Sequence, residues 1–170
     1  MTGTQSSMRI YRDDDVNVYT DAFRFKALHE EFIKRKEVHT VAVIMKDLWE
    51  NHALFYYLAT APYLEIGLHG WEHKDYSLLS EEECYDDIFE SLMYWKLNAR
   101  RMVGKPEKRI TTFFAPWNHK SEDIEKACKY NGLKFCATKK GEWEGYDVHS
   151  FHHWYLELHP EDIPKLFKGK

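Results

Sequence analysis

Cysteine is scarce in this chain. Cys84, Cys128 and Cys136 are an odd number with no C-x-x-C spacing among them. That count argues against a disulfide framework and against a cysteine-built zinc site, and it fits a reducing cytoplasm. All three thiols are expected in or beside the core. An excess of positive charge is also missing. Lys and Arg number 24 against 28 Asp and Glu, a net charge of −4, with the two signs interspersed. A nucleic-acid or anionic-membrane surface would need a basic stripe. The terminal "KLFKGK" reads as a solvated tail. No apolar run reaches membrane-spanning length, so no membrane insertion is expected. The opening "MTGTQSSMRIYRDDD" lacks the basic and apolar regions of a signal peptide. No linker, low-complexity segment or sequence repeat interrupts the chain.

What is present is core-forming material. Apolar residues make up 44% of the 170 residues, including 6 Trp, 11 Tyr and 10 Phe. This suits one domain spanning residues 1–170. Apolar β-type runs alternate with helical stretches. "MRIY" (8–11), "HTVAVIM" (39–45), "YLEIGLH" (63–69), "RITTFFAPW" (109–117) and "LKFCATK" (133–139) read as strands, and residues 146–159 hold at least one more. Helical spacing covers 20–36, 48–60, a long segment opened by the capping box of Ser80 and Glu83, and 122–131 between Ser121 and Gly132. Strands and helices alternating at about thirty-residue intervals indicate βαβ units, hence a mainly parallel sheet or partial barrel.

In such folds the C-terminal ends of the strands carry the chemistry. Four groups fall there: Asp13, Asp14 and Asp15; His69 and His73; Pro116, Trp117, Asn118 and His119; and His159, at the end of what reads as the last strand, "YLELHP". A lone i, i+4 histidine pair carries little weight, because ten histidines in this length give about 0.6 such pairs by chance. The pair gains meaning from the carboxylates after the first strand. Two imidazoles and one carboxylate hold a divalent cation while leaving positions open for water and substrate.

These residues resemble the polysaccharide deacetylases, carbohydrate esterases of the NodB-homology type. "YRDDDV" is similar to the family's Asp-Asp pair, "EIGLHGWEHKDYSLLSEEE" to its His-(Ser/Thr)-x-x-His segment, "FAPWN" to its Arg-x-Pro-(Tyr/Trp) motif, and "LELHP" to its Leu-x-His ending. Gly70 replaces Ser or Thr. Phe114 stands where the family has the arginine that orders the base carboxylate, and Arg12 is one candidate to replace it. The chain is short for the family, so the expected fold is an α/β, (β/α) barrel-like structure, an incomplete or distorted barrel of parallel strands.

The resemblance implies a metal-dependent hydrolase that removes an acetyl group from an amino sugar or surface-polysaccharide precursor. Asp15, His69 and His73 would hold Zn²⁺ or a similar ion, with Asp14 as base. The shifted reading makes Asp13 the base and Asp14 the ligand. His159 is the assigned acid, with His149, His152 and His153 as alternatives. Pro116, Trp117, Asn118 and Trp154 are assigned to a carbohydrate substrate, although both tryptophans also suit a core and Asn118 a turn cap. Two other functions stay open: a non-catalytic protein of the same fold that binds carbohydrate or acts as a scaffold, and a metal hydrolase acting on another C–N or ester bond.

Overall fold

The computed structural model describes residues 8–104 and 108–168. The expected alternation is present. β1 (Arg9–Val16), α1 (Ala22–Arg35), β2 (His39–Val43), α2 (His52–Thr60), β3 (Leu64–Leu68), α3 (Glu81–Val103), β4 (Thr112–Phe114), α4 (Glu122–Tyr130) and β5 (Lys134–Cys136) follow in order. A hairpin, β6 (Lys140–Trp143) and β7 (Tyr146–Phe151), leads to two short helices, α5 (His153–Leu158) and α6 (Ile163–Leu166).

The strands form a seven-stranded sheet in the order β5-β4-β3-β2-β1-β7-β6. Every pairing is parallel except β6 with β7. The sheet curls into a nearly closed barrel, as the expectation of a distorted barrel required. Its edge strands β5 and β6 are linked by residues 137–139, and side chains bridge the seam. The Trp143 indole Nε1–H donates to the Phe135 carbonyl at 2.9 Å, and Lys134 Nζ meets the Glu144 carboxylate at 2.9 Å.

Strand alternation sorts side chains into two environments. Val41, Val43, Ile66, Leu68 and Phe113 pack with residues of the helices in the main core. Ala42, Phe114 and Cys136 form a separate buried cluster against Trp143. Along β1, Tyr11 packs edge-on against Phe32 of α1, whereas the next residue, Arg12, lies over the Phe114 ring. The capping box at α3 makes both of its bonds: Ser80 Oγ accepts from Glu83 N–H, and the Glu83 carboxylate accepts from Ser80 N–H. All three cysteines are buried and free.

Three departures from the sequence reading have physical causes. β1 continues through the aspartates to Val16, because Asp13 is fully buried with partners of its own. β7 is the strand expected within residues 146–159, but its partner β6 and the hairpin turn between them have no counterpart in the sequence reading. That turn places Glu144 (φ 49) and Gly145 (φ 82) in the left-handed region, the geometry a two-residue hairpin turn demands. Residues 153–158 are helical and include most of "YLELHP" (155–160), which reads as the last strand; Leu156 joins Tyr11, Leu28 and Phe32 in a buried cluster.

Candidate metal centre

The three consecutive aspartates have three different fates. Between Asp13 and Val16 the register of β1 on β2 shifts, and Asp15 takes φ 65. A bulge of this kind re-aims side chains at a strand end. The Asn17 Nδ2 amide holds the turn by donating to the Asp15 carbonyl at 2.7 Å. Asp13 turns into the core, Asp14 turns to Arg12, and Asp15 faces the histidine pair.

His69 directly follows β3 and is almost wholly buried. Its Nδ1 lies 2.6 Å from the Phe114 carbonyl oxygen, which can only accept, so Nδ1 carries the ring proton. In the neutral ring, Nε2 is then a lone pair, and it lies 3.2 Å from Asp15 Oδ1. His73 Nε2 lies 3.2 Å from the same oxygen. These donor atoms all fall within 4.8 Å of one another, and the buried Asp15 Oδ1 has no hydrogen-bond partner. A carboxylate oxygen facing a neutral imidazole lone pair is repulsive unless a cation lies between them, so the donor set fits a divalent ion. Burial alone would raise the Asp15 carboxyl. In the absence of a cation the same two nitrogens can instead present N–H groups, whose hydrogen bonds and charge outweigh burial and hold the carboxyl far below the ordinary carboxylate range, so a proton and a cation compete for the same positions.

His69 and His73 are brought together by a bent loop and not by a helical turn; the loop is held from α3, where Asp87 Oδ1 accepts from Trp71 N–H at 3.0 Å and from the Tyr76 hydroxyl at 2.5 Å. Gly70 belongs to that loop at φ 91, and a Cβ there would lie 2.1 Å from the Tyr76 hydroxyl oxygen. The positive φ, the Tyr76 ring and the Glu72 carbonyl oxygen, 2.8 Å from such a Cβ, together account for glycine at this position.

Asp14 is buried beside the centre, with Oδ1 2.7 Å from Arg12 Nε. Arg12 is itself fully buried and donates from Nη1 to Asn118 Oδ1 (2.7 Å) and to the Thr138 carbonyl (3.0 Å). Burial pushes the Asp14 carboxyl above its ordinary value, with the Arg12 charge opposing. Asn118, assigned to substrate from sequence, thus has its carbonyl oxygen engaged by Arg12. Pro116 is buried at the start of a single 3-10 turn, Pro116–Asn118. Trp117 packs edge-on against His73, ring centroids 4.3 Å apart, and stays 55% exposed. Trp117 and Asn118 both have positive φ, 53 and 58. His119 ties this turn to the loop after β3 through Asp75, Nδ1 to Oδ2 2.8 Å.

His159 does not join this group. It caps the C-terminal end of α5 and is exposed, with its ring near Tyr155 and its Nδ1 3.4 Å from Glu161. The histidine brought to the centre is His152, immediately after β7, with Nδ1 3.4 Å from Asp15 Oδ2. Trp154, half exposed, stacks on His152 with ring centroids 5.3 Å apart. The signal for His152 was its position just past a strand, and it was masked because the strand's end was read eight residues too late. His149 pairs instead with Asp147 at 2.8 Å, and His153 with Asp13.

No family model and no curated protein match the sequence. Solved structures do match in fold. The chain is similar to BA3943 from Bacillus anthracis, described as a CE4 family pseudoenzyme, at 12% identity over 96% of this chain, with a TM-score of 0.66. It spans 62% of that longer chain. It is similar to a family 4 carbohydrate esterase from Streptomyces lividans solved with acetate, at 10% identity, covering 95% of this chain and 86% of that one, with a TM-score of 0.72. It is also similar to the peptidoglycan deacetylase PdaC from Bacillus subtilis, at 14% identity, covering 94% and 83%, with a TM-score of 0.64. The fold is that of the family 4 carbohydrate esterases and peptidoglycan deacetylases.

Proposed function

We propose that this chain is a metal-dependent hydrolase that removes an acetyl group from an acetylated saccharide, an N-acetyl amino sugar being the favoured substrate. One observation carries the reading: a buried carboxylate oxygen without a hydrogen-bond partner meets two imidazole nitrogens at 3.2 Å each. Asp15, His69 and His73 hold the cation. When bound, it supplies Lewis acidity for a carbonyl and for water. The fold's likeness to an esterase solved with acetate and to a peptidoglycan deacetylase supports the same chemistry.

The chain's own residues have separable tasks. Asp14, raised by burial and steered by Arg12, accepts the proton of the attacking water. His152 replaces His159 as the donor to the leaving amine, because its Nδ1 lies across Asp15 from the histidine pair. Trp117 and Trp154, each half exposed and each packed on an imidazole of the site, offer flat apolar faces to a sugar ring. A shallow depression of about 590 Å³ lined by Asn17, Tyr19, Lys46 and His73 extends the site to one side.

The second reading, a metal-binding protein without turnover, is favoured by the BA3943 likeness and by Phe114 in place of the motif arginine. One experiment separates the two. Zinc or cobalt stoichiometry is measured, followed by acetate release from N- and O-acetylated oligosaccharides. Metal binding with acetate release that Asp14→Asn abolishes supports the hydrolase. Metal binding without release on any substrate supports the second reading.

A further inference from the structure

Behind the metal centre lies a chain of polar side chains that the proposed reaction does not use. Asp13, His29 and His39 are 0% exposed and His153 is 4% exposed. The chain starts at the Pro62 carbonyl, 2.8 Å from His29 Nε2. His29 Nδ1 lies 3.1 Å from His39 Nδ1, and His39 Nε2 lies 2.9 Å from Asp13 Oδ2. The other Asp13 oxygen, Oδ1, accepts from the His153 backbone N–H at 2.8 Å and faces His153 Nδ1 at 3.0 Å. His153 Nε2 ends the chain at the Thr20 hydroxyl, 3.2 Å away.

The His39 ring lies flat on Phe32, centroids 4.2 Å apart with 6° between planes, so the ring that meets Asp13 Oδ2 is held in place by packing. On the far side of Asp13, the His153 N–H is the first amide of α5, and the preceding residue is His152.

We propose that Asp13 is a positioning residue: its carboxylate, anchored on one oxygen by His39, holds the His153 amide on the other and thereby sets His152 opposite Asp15. The proton-donor role of His152 rests on the deacetylase reading, whereas its placement by Asp13 does not. Asp13 would thus explain why a third acid stands beside the working pair. It anchors the strand after which the sixth and seventh β-segments deliver their histidine, through an amide 140 residues away.

Two pairs of observations test this. His153→Pro removes the amide donor at the first helical position, where proline is tolerated, and His152 already has the extended backbone that a following proline requires (φ −124, ψ 126). His153→Ala removes the ring and keeps the amide. Crystal structures of the zinc-loaded variants are expected to keep His152 near its 3.4 Å separation from Asp15 in His153→Ala and to lose it in His153→Pro. Acetate release should fall about 100-fold in His153→Pro at unchanged zinc content, and less than about tenfold in His153→Ala. The second pair compares Asp13→Asn, whose amide oxygen can still accept from the His153 N–H, with Asp13→Ala, which leaves that N–H without an acceptor; His152 should keep its place in the first and lose it in the second. Equal displacement of His152 in the two His153 variants, an unmoved His152 in His153→Pro, or an unmoved His152 in Asp13→Ala overturns the proposal. If the wild type releases no acetate, the deacetylase reading fails, and the crystal structures still decide the positioning.

Discussion

His69 Nδ1 and the Phe114 carbonyl oxygen are 2.6 Å apart, and this one contact fixes which nitrogen of His69 faces Asp15. β4 thus orients a side chain from β3 toward a carboxylate from β1. Removal of either end of the cluster, by His69→Ala or Asp15→Ala, is expected to abolish tight zinc binding. Zinc at about 100 times its Kd should stabilise the wild type by about 2.7 kcal/mol, and neither variant. Calorimetric melting with and without zinc or a chelator checks this.

Arg12 sits where a second test is sharpest. It is fully buried, with Asp14 on Nε, Asn118 and the Thr138 carbonyl on Nη1, and Phe114 beneath its plane. Arg12→Ala leaves the Asp14 carboxylate buried and unpaired, a loss of about 3–5 kcal/mol in stability. Arg12→Lys keeps the charge and loses the fork that reaches two directions at once. Its expected signature is a folded, zinc-binding protein with acetate release reduced by about 10–100-fold. Denaturant unfolding and steady-state kinetics on the two variants distinguish charge from geometry.

The legible parts of this protein were those written in local spacing. The Ser80–Glu83 capping box, the alternation of β and helical runs, and the polar groups after β3 and β4 appear where the sequence placed them, whereas the aspartates lie inside the end of β1 and His159 follows a helix. What stayed hidden depends on distant partners. "YLELHP" alternates like a strand, yet Leu156 is buried against Tyr11, Leu28 and Phe32, and the segment coils into α5. Nothing near Asp13 announces His39 or His153, which lie 26 and 140 positions away. The aspartate register was ambiguous for the same reason: a bulge, invisible in composition, decides which carboxylate faces which partner.

The His29–His39 pair also carries a pH signature. Burial, reinforced by the neighbouring His39 charge, lowers His29 to about 4. In the unfolded chain the ordinary value is 6.5, so between the two values the unfolded state binds more protons. Stability contributed by a neutral His29 is therefore present above pH 6.5 and is lost as pH falls toward 4. The loss approaches about 3 kcal/mol. His29→Gln, which can still donate and accept, should flatten this part of the profile. Urea unfolding from pH 7 to pH 4 reads the difference, and equal slopes in the two proteins would remove the assignment.

Trp117 is where stability and activity should part. Its φ of 53 places a bulky residue in the left-handed region, which costs about 1–2 kcal/mol for a side chain with a Cβ. The ring recovers little by burial, since it is 55% exposed and its edge rests on His73. A strained, exposed aromatic beside the proposed metal centre points to a role in what it touches. Trp117→Gly relieves the backbone and should raise stability by up to about 1 kcal/mol. The same change removes a flat face for the sugar and the packing on His73, so KM for an acetylated oligosaccharide should rise about tenfold or more, with zinc still bound. Melting curves and saturation kinetics on the zinc-loaded protein provide the comparison. A variant that is less stable and binds saccharide as well as the wild type would show that the ring serves the fold and not the substrate.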